Sequence, residues 1–277
     1  MSQLAPPVLA TLFIWWFSTG VILYLDGLPQ RTFKWTMLGA STTLGLALAG
    51  LAASGQDTSV AGAYCAFTCA ILVWGWQEVA FLLGYVTGPR RTACPEGSHG
   101  WRRARFAFQT VLHHEVALVI LALAVLAVTW DAPNQTGWWT FVILWTMRQS
   151  AKLNVFLGVR NLNEGFLPPH LKYLRTYFTR SGMNPLFPVS IAVSTMLVIP
   201  VWQAAMASGA TAAQVTSQSL LGALLSLAIL EHWFLVLPLP SEALWKWGLR
   251  SRPAGAALPA ATETSRVVPL APQSAAD

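Results

Sequence analysis

The chain has 277 residues, of which 55% are hydrophobic and only 10% are charged, against about 25% charged residues in an ordinary soluble domain. A soluble fold of this length cannot bury that much apolar side chain, so the composition excludes a soluble enzyme and indicates an integral membrane protein. The 14 Trp and 13 Phe residues are typical of the aromatic belts at membrane interfaces. In a membrane protein, the net charge of +6 indicates which side of the membrane the Lys and Arg residues face. No nucleic-acid partner is expected.

Seven apolar runs are long enough to cross a bilayer, which takes about 20 residues in a helix. In chain order they cover residues 8–25, 35–53, 60–86, 108–130, 138–157, 186–207 and 220–239. These runs predict an all-α integral membrane fold, a bundle of seven transmembrane helices. We assign residues 1–250 to this transmembrane domain. The remaining residues, 251–277, are rich in Ala, Pro and Ser, and they predict a disordered cytoplasmic tail.

The positive charges are distributed unevenly over the connections between the predicted spans. All 17 Lys and Arg residues lie in the first, third and fifth connections, at the adjoining end of span five, or after span seven. Lys and Arg concentrate on the cytoplasmic side of membrane proteins. We therefore predict a multi-pass membrane protein with its N-terminus on the outer side, its C-terminus in the cytoplasm and the lipid bilayer as a partner.

Two basic segments on the cytoplasmic side are predicted to dock partner subunits or anionic lipid. One is the third connection, and the other follows Pro169, where apolar residues recur at helical spacing from Leu167 to Phe178. This second pattern predicts a short amphipathic helix that lies in the cytoplasmic interface. The predicted docking residues are Arg102, Arg103, Arg105, Lys172 and Arg175.

Ionisable side chains within predicted spans concentrate in one band near the cytoplasmic side. Such residues are costly inside a membrane and usually face the bundle interior or a cavity. The band contains three carboxylates, three imidazoles and two cations, and we refer to it as the polar layer. Its members are Glu78, His113, His114, Glu115, Arg148, Lys152, Glu231 and His232.

Three interpretations of the polar layer stay open from the sequence. In the first, the acids pair with Arg148, Lys152 and protonated His, which fixes the register of the helices. In the second, carboxylates and imidazoles bind iron, manganese or zinc. The Glu-x-x-His spacing of ferritin-like centres is absent, however, and adjacent pairs such as Glu231–His232 diverge by about 100° on a helix. In the third, a His ligates the metal of a tetrapyrrole pigment.

Six longer motifs are spread over the chain from residue 13 to about residue 249. They read FIWWFSTGVILYLDGLP (13–29), WGWQEVAFLLGYVTGPRR (74–91), HHEVAL (113–118), FLGVRNLNEGFLPPHLKYLRTYF (156–178), MNPLFPVS (183–190) and LEHWFLVLPLP (230–240). Together they resemble the PuhE-type photosynthetic complex assembly protein 2 family of purple phototrophic proteobacteria. The resemblance covers the whole chain except the tail.

This resemblance implies a role in assembling the photosynthetic reaction centre and its light-harvesting antenna in the intracytoplasmic photosynthetic membrane. It implies reaction-centre or antenna subunits as partners and an influence on bacteriochlorophyll supply, but it assigns no catalytic residue. The family's third-span motif usually reads WGWHE, so Gln77 stands here in place of a His. Gly165 likewise stands where a second Glu is common in the family. The change at Gln77 weakens the metal interpretation, because His at that position is then not an indispensable ligand.

We therefore expect a non-enzymatic assembly factor that acts by binding subunits or pigment. Two alternatives remain open at this stage. One is a metal-dependent membrane enzyme of bacteriochlorophyll or carotenoid metabolism, and the other is a carrier that passes bacteriochlorophyll to nascent complexes. The candidate cofactors are accordingly bacteriochlorophyll or a metal ion.

Overall fold

The computed structural model describes residues 3–252, and within them the chain forms seven α-helices, five short 3-10 helices and no strand. The predicted all-α fold is therefore confirmed. The α-helices are α1 (Ala5–Asp26), α2 (Phe33–Ser54), α3 (Val60–Leu82), α4 (Gly100–Thr129), α5 (Thr136–Leu157), α6 (Leu186–Ala205) and α7 (Ala212–Phe234). The 3-10 helices are Gln30–Thr32, Glu164–Phe166, Pro169–Tyr177, Ser241–Trp245 and Gly248–Ser251.

Six of these helices are long and apolar enough to cross a membrane, namely α1, α2, α3, α4, α6 and α7. Helix α5 forms over the predicted fifth span but does not belong to this set. Its polar residues, among them Arg148 and Lys152, lower the mean hydropathy of the helix. Six apolar helices together with the exposed apolar surface of the bundle are compatible with a multi-pass membrane protein.

Two helices begin earlier than the hydropathy of the sequence predicts. Helix α4 begins at Gly100 rather than at residue 108, and its 30 residues span about 45 Å, more than the bilayer core of about 30 Å. Helix α7 begins at Ala212 rather than at residue 220, because Thr211 and Gln214 form a capping box. The basic run that was expected in a loop therefore lies on the first turns of α4.

Helices α3 and α7 form the centre of the bundle. Of the residues in the most apolar 18-residue stretch of each helix, 56% are buried in α3 and 61% in α7. The corresponding share is 11% in α2 and in α6, which lie at the periphery of the bundle. Helix α3 contacts α1, α2, α4, α5 and α7. The largest apolar cluster contains residues of the four helices α2, α3, α4 and α5. It includes the fully buried residues Leu51, Leu118 and Phe141. The central position of α3 brings its polar residues within reach of several neighbouring helices.

The connections separate into two ends of the bundle. At the first, which we call the basic end, Arg103 Nη2 donates to Thr179 Oγ1 at 2.7 Å and so links the first turn of α4 to the fifth connection. At the opposite end, Asn134 Nδ2 donates to the backbone oxygens of Ser54 and Asp57 at 3.0 and 3.1 Å. The connections that carry Lys and Arg thus lie together, apart from those that carry none, as the charge pattern predicts.

The predicted interfacial helix forms as the 3-10 helix Pro169–Tyr177, but its apolar side packs on protein. Leu171 and Leu174 are buried against Phe81 of α3 and Val111 of α4. The expectation that this apolar stripe lies in the membrane interface is therefore wrong. Residues three apart share one face of a 3-10 helix, and that face covers the ends of α3 and α4.

His170 fastens this 3-10 helix to α3, since its Nε2 donates to the backbone oxygen of Leu82 at 2.8 Å. Burial lowers the pKa of the His170 imidazole below its usual value; the Leu82 bond raises the pKa by less, and the positive charge of Arg91 lowers it further. The unfolded chain binds a proton near pH 6.5, so it binds more protons than the folded chain below that pH. The stabilising contribution is therefore complete above about pH 6.5 and declines as the pH falls.

We predict that the melting temperature of the wild-type protein falls more between pH 7.5 and pH 5.5 than that of His170→Gln. Gln keeps an amide donor for the Leu82 oxygen but does not titrate. The measurement is thermal unfolding in one detergent at both pH values. Equal decreases for the two proteins would show that His170 does not contribute to the pH dependence.

The chain that follows α7 packs along α1, and we call residues 235–252 the C-terminal segment. Trp245 Nε1 donates to the backbone oxygen of Trp16 at 2.9 Å, and the Ser251 hydroxyl donates to that of Tyr24 at 2.7 Å. Ser251 and Arg252, which were assigned to the disordered tail, therefore contact α1. The rest of the predicted tail, residues 253–277, lies outside the described residues.

Gly20 on α1 permits close contact with the C-terminal segment. A Cβ atom at Gly20 would lie 2.0 Å from Cζ2 of Trp247, whereas a Cβ at Gly45 of α2 would meet nothing within 4 Å. We predict that Gly20→Ala lowers the free energy of unfolding by about 1–3 kcal/mol through overpacking. The matched variant Gly45→Ala should be neutral or slightly stabilising, because Ala is the better helix former. Thermal unfolding measures both, and equal effects of the two substitutions would contradict this packing.

Candidate functional site

An ion pair between α3 and α5 lies at the centre of the predicted polar layer. Arg148 Nη2 is 2.8 Å from Glu78 Oε2. The Glu78 carboxylate is buried, whereas the Arg148 side chain is 42% exposed. A pair of this kind holds two helices in one register, because breaking it leaves a buried charge uncompensated.

A second ion pair joins α4 to α5 and uses the same side of α5. Lys152 Nζ lies 2.7 Å from Glu115 Oε1, and Gln149 Nε2 donates to Glu115 Oε2 at 2.6 Å. Lys152 follows Arg148 by four residues, so the two cations are neighbours on one helix face. The two acids of α3 and α4 are therefore each matched by a cation of α5.

Two fully buried side chains of α3 and α4 have polar atoms without a hydrogen-bond partner among residues 3–252. In Gln77 both the nitrogen and the oxygen of the side-chain amide lack a partner, and in His114 the ring atom Nδ1 lacks one. The His114 ring packs on Phe81, with 4.6 Å between ring centroids, whereas the neighbouring His113 is exposed. An unpartnered buried polar group costs about 1–3 kcal/mol. Gln77, which adjoins the polar layer, and His114 within it are therefore buried side chains whose hydrogen-bonding capacity the described residues do not use.

Glu231 connects α7 to α1 instead of pairing with a cation. Its Oε1 accepts a hydrogen bond from Trp15 Nε1 at 2.8 Å, and the residue is exposed on the outside of the bundle. Arg148 and Glu78 lie close enough to act on it electrostatically. The three acids of the polar layer therefore have three different partners and do not meet at one point.

His232, the neighbour of Glu231, belongs to a separate network between α5, α6 and α7. Its Nδ1 donates to the backbone oxygen of Ala228, and its Nε2 lies 2.9 Å from Ser150 Oγ. Ser150 Oγ is in turn 3.0 Å from Ser190 Oγ on α6. Both ring nitrogens of His232 are thus engaged, one within α7 and one by α5, and the residue contacts the side of α5 opposite the two ion pairs.

Two asparagines extend this network toward the basic end. Asn154 Nδ2 donates to Ser190 Oγ at 3.0 Å, and Asn184 Nδ2 donates to Asn154 Oδ1 at 3.1 Å and to the backbone oxygen of Gly158 at 2.9 Å. Asn184 Oδ1 also accepts from the amide of Leu186, the first residue of α6, at 2.9 Å. This network joins the fifth connection to the bundle.

The predicted polar layer is therefore divided around α5, with the two ion pairs on one side and the His232 network on the other. Glu231 bonds instead to Trp15, and His113 and His114 belong to neither group. The divergence of adjacent residues on a helix separates His113 from His114, and Glu231 from His232. Across the part of the chain that the structure describes, no group of three His, Cys, Asp or Glu side chains is placed to hold a metal ion. The geometry therefore favours the structural interpretation for Glu78 and Glu115.

The predicted docking residues differ in their surroundings. Arg103 Nη2 bonds to the backbone oxygen of Phe156, and the guanidinium lies over the Phe156 ring at 4.4 Å. Arg175 pairs with Glu164. The other three, Arg102, Arg105 and Lys172, are exposed at the basic end.

Gly165 lies at a position where a carboxylate is supplied from elsewhere in the chain. Glu242 Oε1 accepts from the Gly165 amide at 3.2 Å, and a Cβ at Gly165 would lie 2.5 Å from that carboxylate. A Glu side chain at this position would meet both a steric clash and a like charge. The C-terminal segment thus occupies the space that a side chain at residue 165 would need.

Sequence reasoning missed several members of both networks. Trp15, Gln149, Ser150, Ser190 and Asn184 are uncharged, and polar or amphipathic residues of this kind are common in membrane helices. A helical-face analysis of α5 would have placed Gln149 and Lys152 near each other. No local signal indicates the contacts of Trp15 with Glu231 or of Ser150 with His232, since these pairs are far apart in sequence.

Comparison with known proteins places these observations in a family. Residues 1–256 match the family described as Protein of unknown function (DUF3623). A protein of Rhodobacter capsulatus, described as an uncharacterized 30.4 kDa protein in the puhA 5′ region, is 41% identical over 247 residues, which cover 88% of this chain and 90% of that protein. No solved structure matches the chain. The chain therefore belongs to the DUF3623 family.

Proposed function

We propose that this chain is an assembly factor for the photosynthetic reaction centre and light-harvesting complex, acting in the bacterial inner membrane by binding subunits or pigment. The observation that carries the proposal is the gene position of the 41% identical relative, in the puhA 5′ region, which is a photosynthesis-gene-cluster context. The resemblance of the long motifs to the PuhE-type family supports the same role. Membership in DUF3623 itself assigns no activity.

The proposal includes seven membrane crossings, with α5 as the seventh crossing helix. Helix α5 has 22 residues and is about 33 Å long, enough to cross a bilayer core of about 30 Å. Its cations face Glu78 and Glu115 within the bundle, which explains why a crossing helix is this polar. With seven crossings, the positive-inside rule places the basic end in the cytoplasm and the N-terminus in the periplasm.

In this proposal the two ion pairs hold α3, α4 and α5 together, while Gln77 and His114 offer hydrogen bonds to a bound pigment. The support for pigment binding is the pair of unpartnered buried side chains described above. The alternative of a metal-dependent enzyme gains no support from these residues, because Glu78 and Glu115 are engaged by cations. The exposed Arg102, Arg105 and Lys172 are proposed to dock subunits or anionic lipid at the basic end.

The test is complementation of a Rhodobacter capsulatus strain that lacks the 41% identical relative. Expression of this chain should restore the near-infrared absorbance of the assembled complexes, and tagged protein should co-purify reaction-centre or antenna subunits. Unchanged absorbance in the strain without either gene would overturn the proposal.

A pair of matched variants tests the docking surface. Arg102→Gln with Arg105→Gln should reduce co-purification several-fold, because rim charges steer association. Arg31→Gln with Lys34→Gln removes two exposed charges at the same end, outside the predicted docking set, and should leave co-purification unchanged. Equal results for the two double variants would remove the docking role.

A further inference from the structure

A cavity of 660 Å³ lies at the end of the bundle opposite the polar layer. It is formed where the N-terminal ends of α3, α5 and α7 meet. Its volume is within the range of about 300–1,000 Å³ that small-molecule sites occupy. Its wall combines uncharged polar residues with a larger apolar surface, to which residues such as Val60, Ala63 and Leu221 contribute.

The electrostatics of the cavity select neither an anion nor a cation. Asp57 is the one carboxylate among the lining residues, none of which is Lys or Arg. Its Oδ1 accepts from the Ser59 amide at 2.9 Å. The carboxylate favours a cation, while the positive dipole ends of three helices favour an anion, so the two fields oppose each other and neither sign of charge is selected. Recognition in this cavity therefore depends on neutral hydrogen bonds and apolar contact.

Two glutamines of α7 supply these hydrogen bonds. Gln214 and Gln218 line the cavity and also an adjoining one of 360 Å³. Gln214 Oε1 accepts from the Thr211 amide, while its Nε2 and the whole amide of Gln218 make no hydrogen bond within residues 3–252. A carboxamide offers two donors and an acceptor with two lone pairs, which matches hydroxyl groups that both donate and accept.

An aromatic wall completes the cavity. Trp139 lines it and its side chain is 52% exposed. An indole offers a broad apolar face with a polar edge, and it commonly lies at the membrane surface. The apolar C–H face of a sugar ring can pack against this indole. The hydroxyl groups of the sugar can form hydrogen bonds with the amides and hydroxyls that line the cavity.

We propose that this cavity binds an uncharged glycosyl group, supplied either by a glycolipid headgroup or by a soluble saccharide. The position of the cavity at the end of the bundle suits both sources. The inference does not depend on the proposed role in assembly, because it uses none of the residues of the polar layer or of the basic end.

The test uses the full-length protein purified in an amine-oxide detergent, which has no sugar headgroup. Binding of three probes is measured by native mass spectrometry and titration: glucosyl diacylglycerol, maltose and phosphatidylglycerol.

Gln218→Ala and Trp139→Ala should each weaken binding of the glycosyl probe about tenfold, the equivalent of about 1.4 kcal/mol. Gln203→Ala and Trp130→Ala are matched controls, since both residues are exposed at the same end but line neither cavity. Unchanged melting temperatures establish that the variants are folded.

Saturable binding of glucosyl diacylglycerol but not of maltose would support the proposal with a lipid as the source. Binding of both with similar affinity would support a soluble saccharide. Phosphatidylglycerol binding as tightly as the glycolipid would overturn the proposal, as would no saturable binding of either glycosyl probe. Equal losses in the control variants, or capture of a polypeptide while both sugars fail to bind, would overturn it as well.

Discussion

Replacing Glu115 by Gln is expected to destabilise the bundle by about 2 kcal/mol, because Glu115 and Lys152 form a partly buried ion pair and removing one partner leaves the other charge uncompensated. Lys152 would lose its ion-pair partner, and Gln149 would lose its carboxylate acceptor. The double variant Glu115→Gln with Lys152→Met should recover most of the lost stability, since it removes both charges. Thermal or denaturant unfolding in detergent measures the free energy for each protein.

Glu96→Gln is the matched control for this cycle. Glu96 is exposed in the third connection, so its substitution should change the free energy of unfolding by less than about 0.5 kcal/mol. A double variant as unstable as Glu115→Gln would show that the ion pair does not account for the effect. In that case the wild-type side chains would contribute through packing.

The second large effect is expected at the ion pair between α1 and the C-terminal segment. Arg252 Nη2 lies 2.9 Å from Asp26 Oδ1 and 3.1 Å from Oδ2, and the Asp26 side chain is 1% exposed. Arg252 also donates to the backbone oxygen of Phe166 at 2.9 Å. Arg252→Met should lower the free energy of unfolding by about 3 kcal/mol and release the segment from α1.

Release of the C-terminal segment should appear as faster trypsin cleavage after Lys246, because local opening exposes the backbone to the protease. Arg250→Met is the matched control, since Arg250 is exposed in the same segment. Asp26→Asn with Arg252→Met should restore part of the stability. Cleavage at the wild-type rate in Arg252→Met would contradict the role of this pair in holding the segment.

Hydropathy and charge pattern predict most of the fold because the membrane imposes one dominant requirement. Apolar runs of about 20 residues become helices, since backbone groups in lipid must be bonded within their own segment. The starts of α4 and α7 were misplaced for different reasons. The N-terminal part of α4 is basic and lies beyond the apolar run, while the start of α7 depends on hydrogen bonds of Thr211 and Gln214, which hydropathy does not register.

The polar layer was predicted by residue type but not by arrangement. Adjacent residues on one helix contact different neighbours, so which of His113 and His114 lies inside depends on the rotation of α4. The sequence placed Glu78, Glu115 and Glu231 at similar depth, and the packing order of the helices gave each a separate partner. The C-terminal segment was missed because its contacts with α1 join residues more than 200 positions apart.

The most direct test of the account measures complex assembly per amount of protein in the phototrophic strain that expresses the Glu115→Gln/Lys152→Met variant. In our proposal the ion pair of Glu115 and Lys152 stabilises the bundle and takes no part in chemistry. The proposal predicts that the double variant regains both its abundance in the membrane and the absorbance of assembled reaction centre and antenna, in proportion. An abundant, correctly inserted double variant that assembles no complex would contradict the account and assign the chemistry to the polar layer.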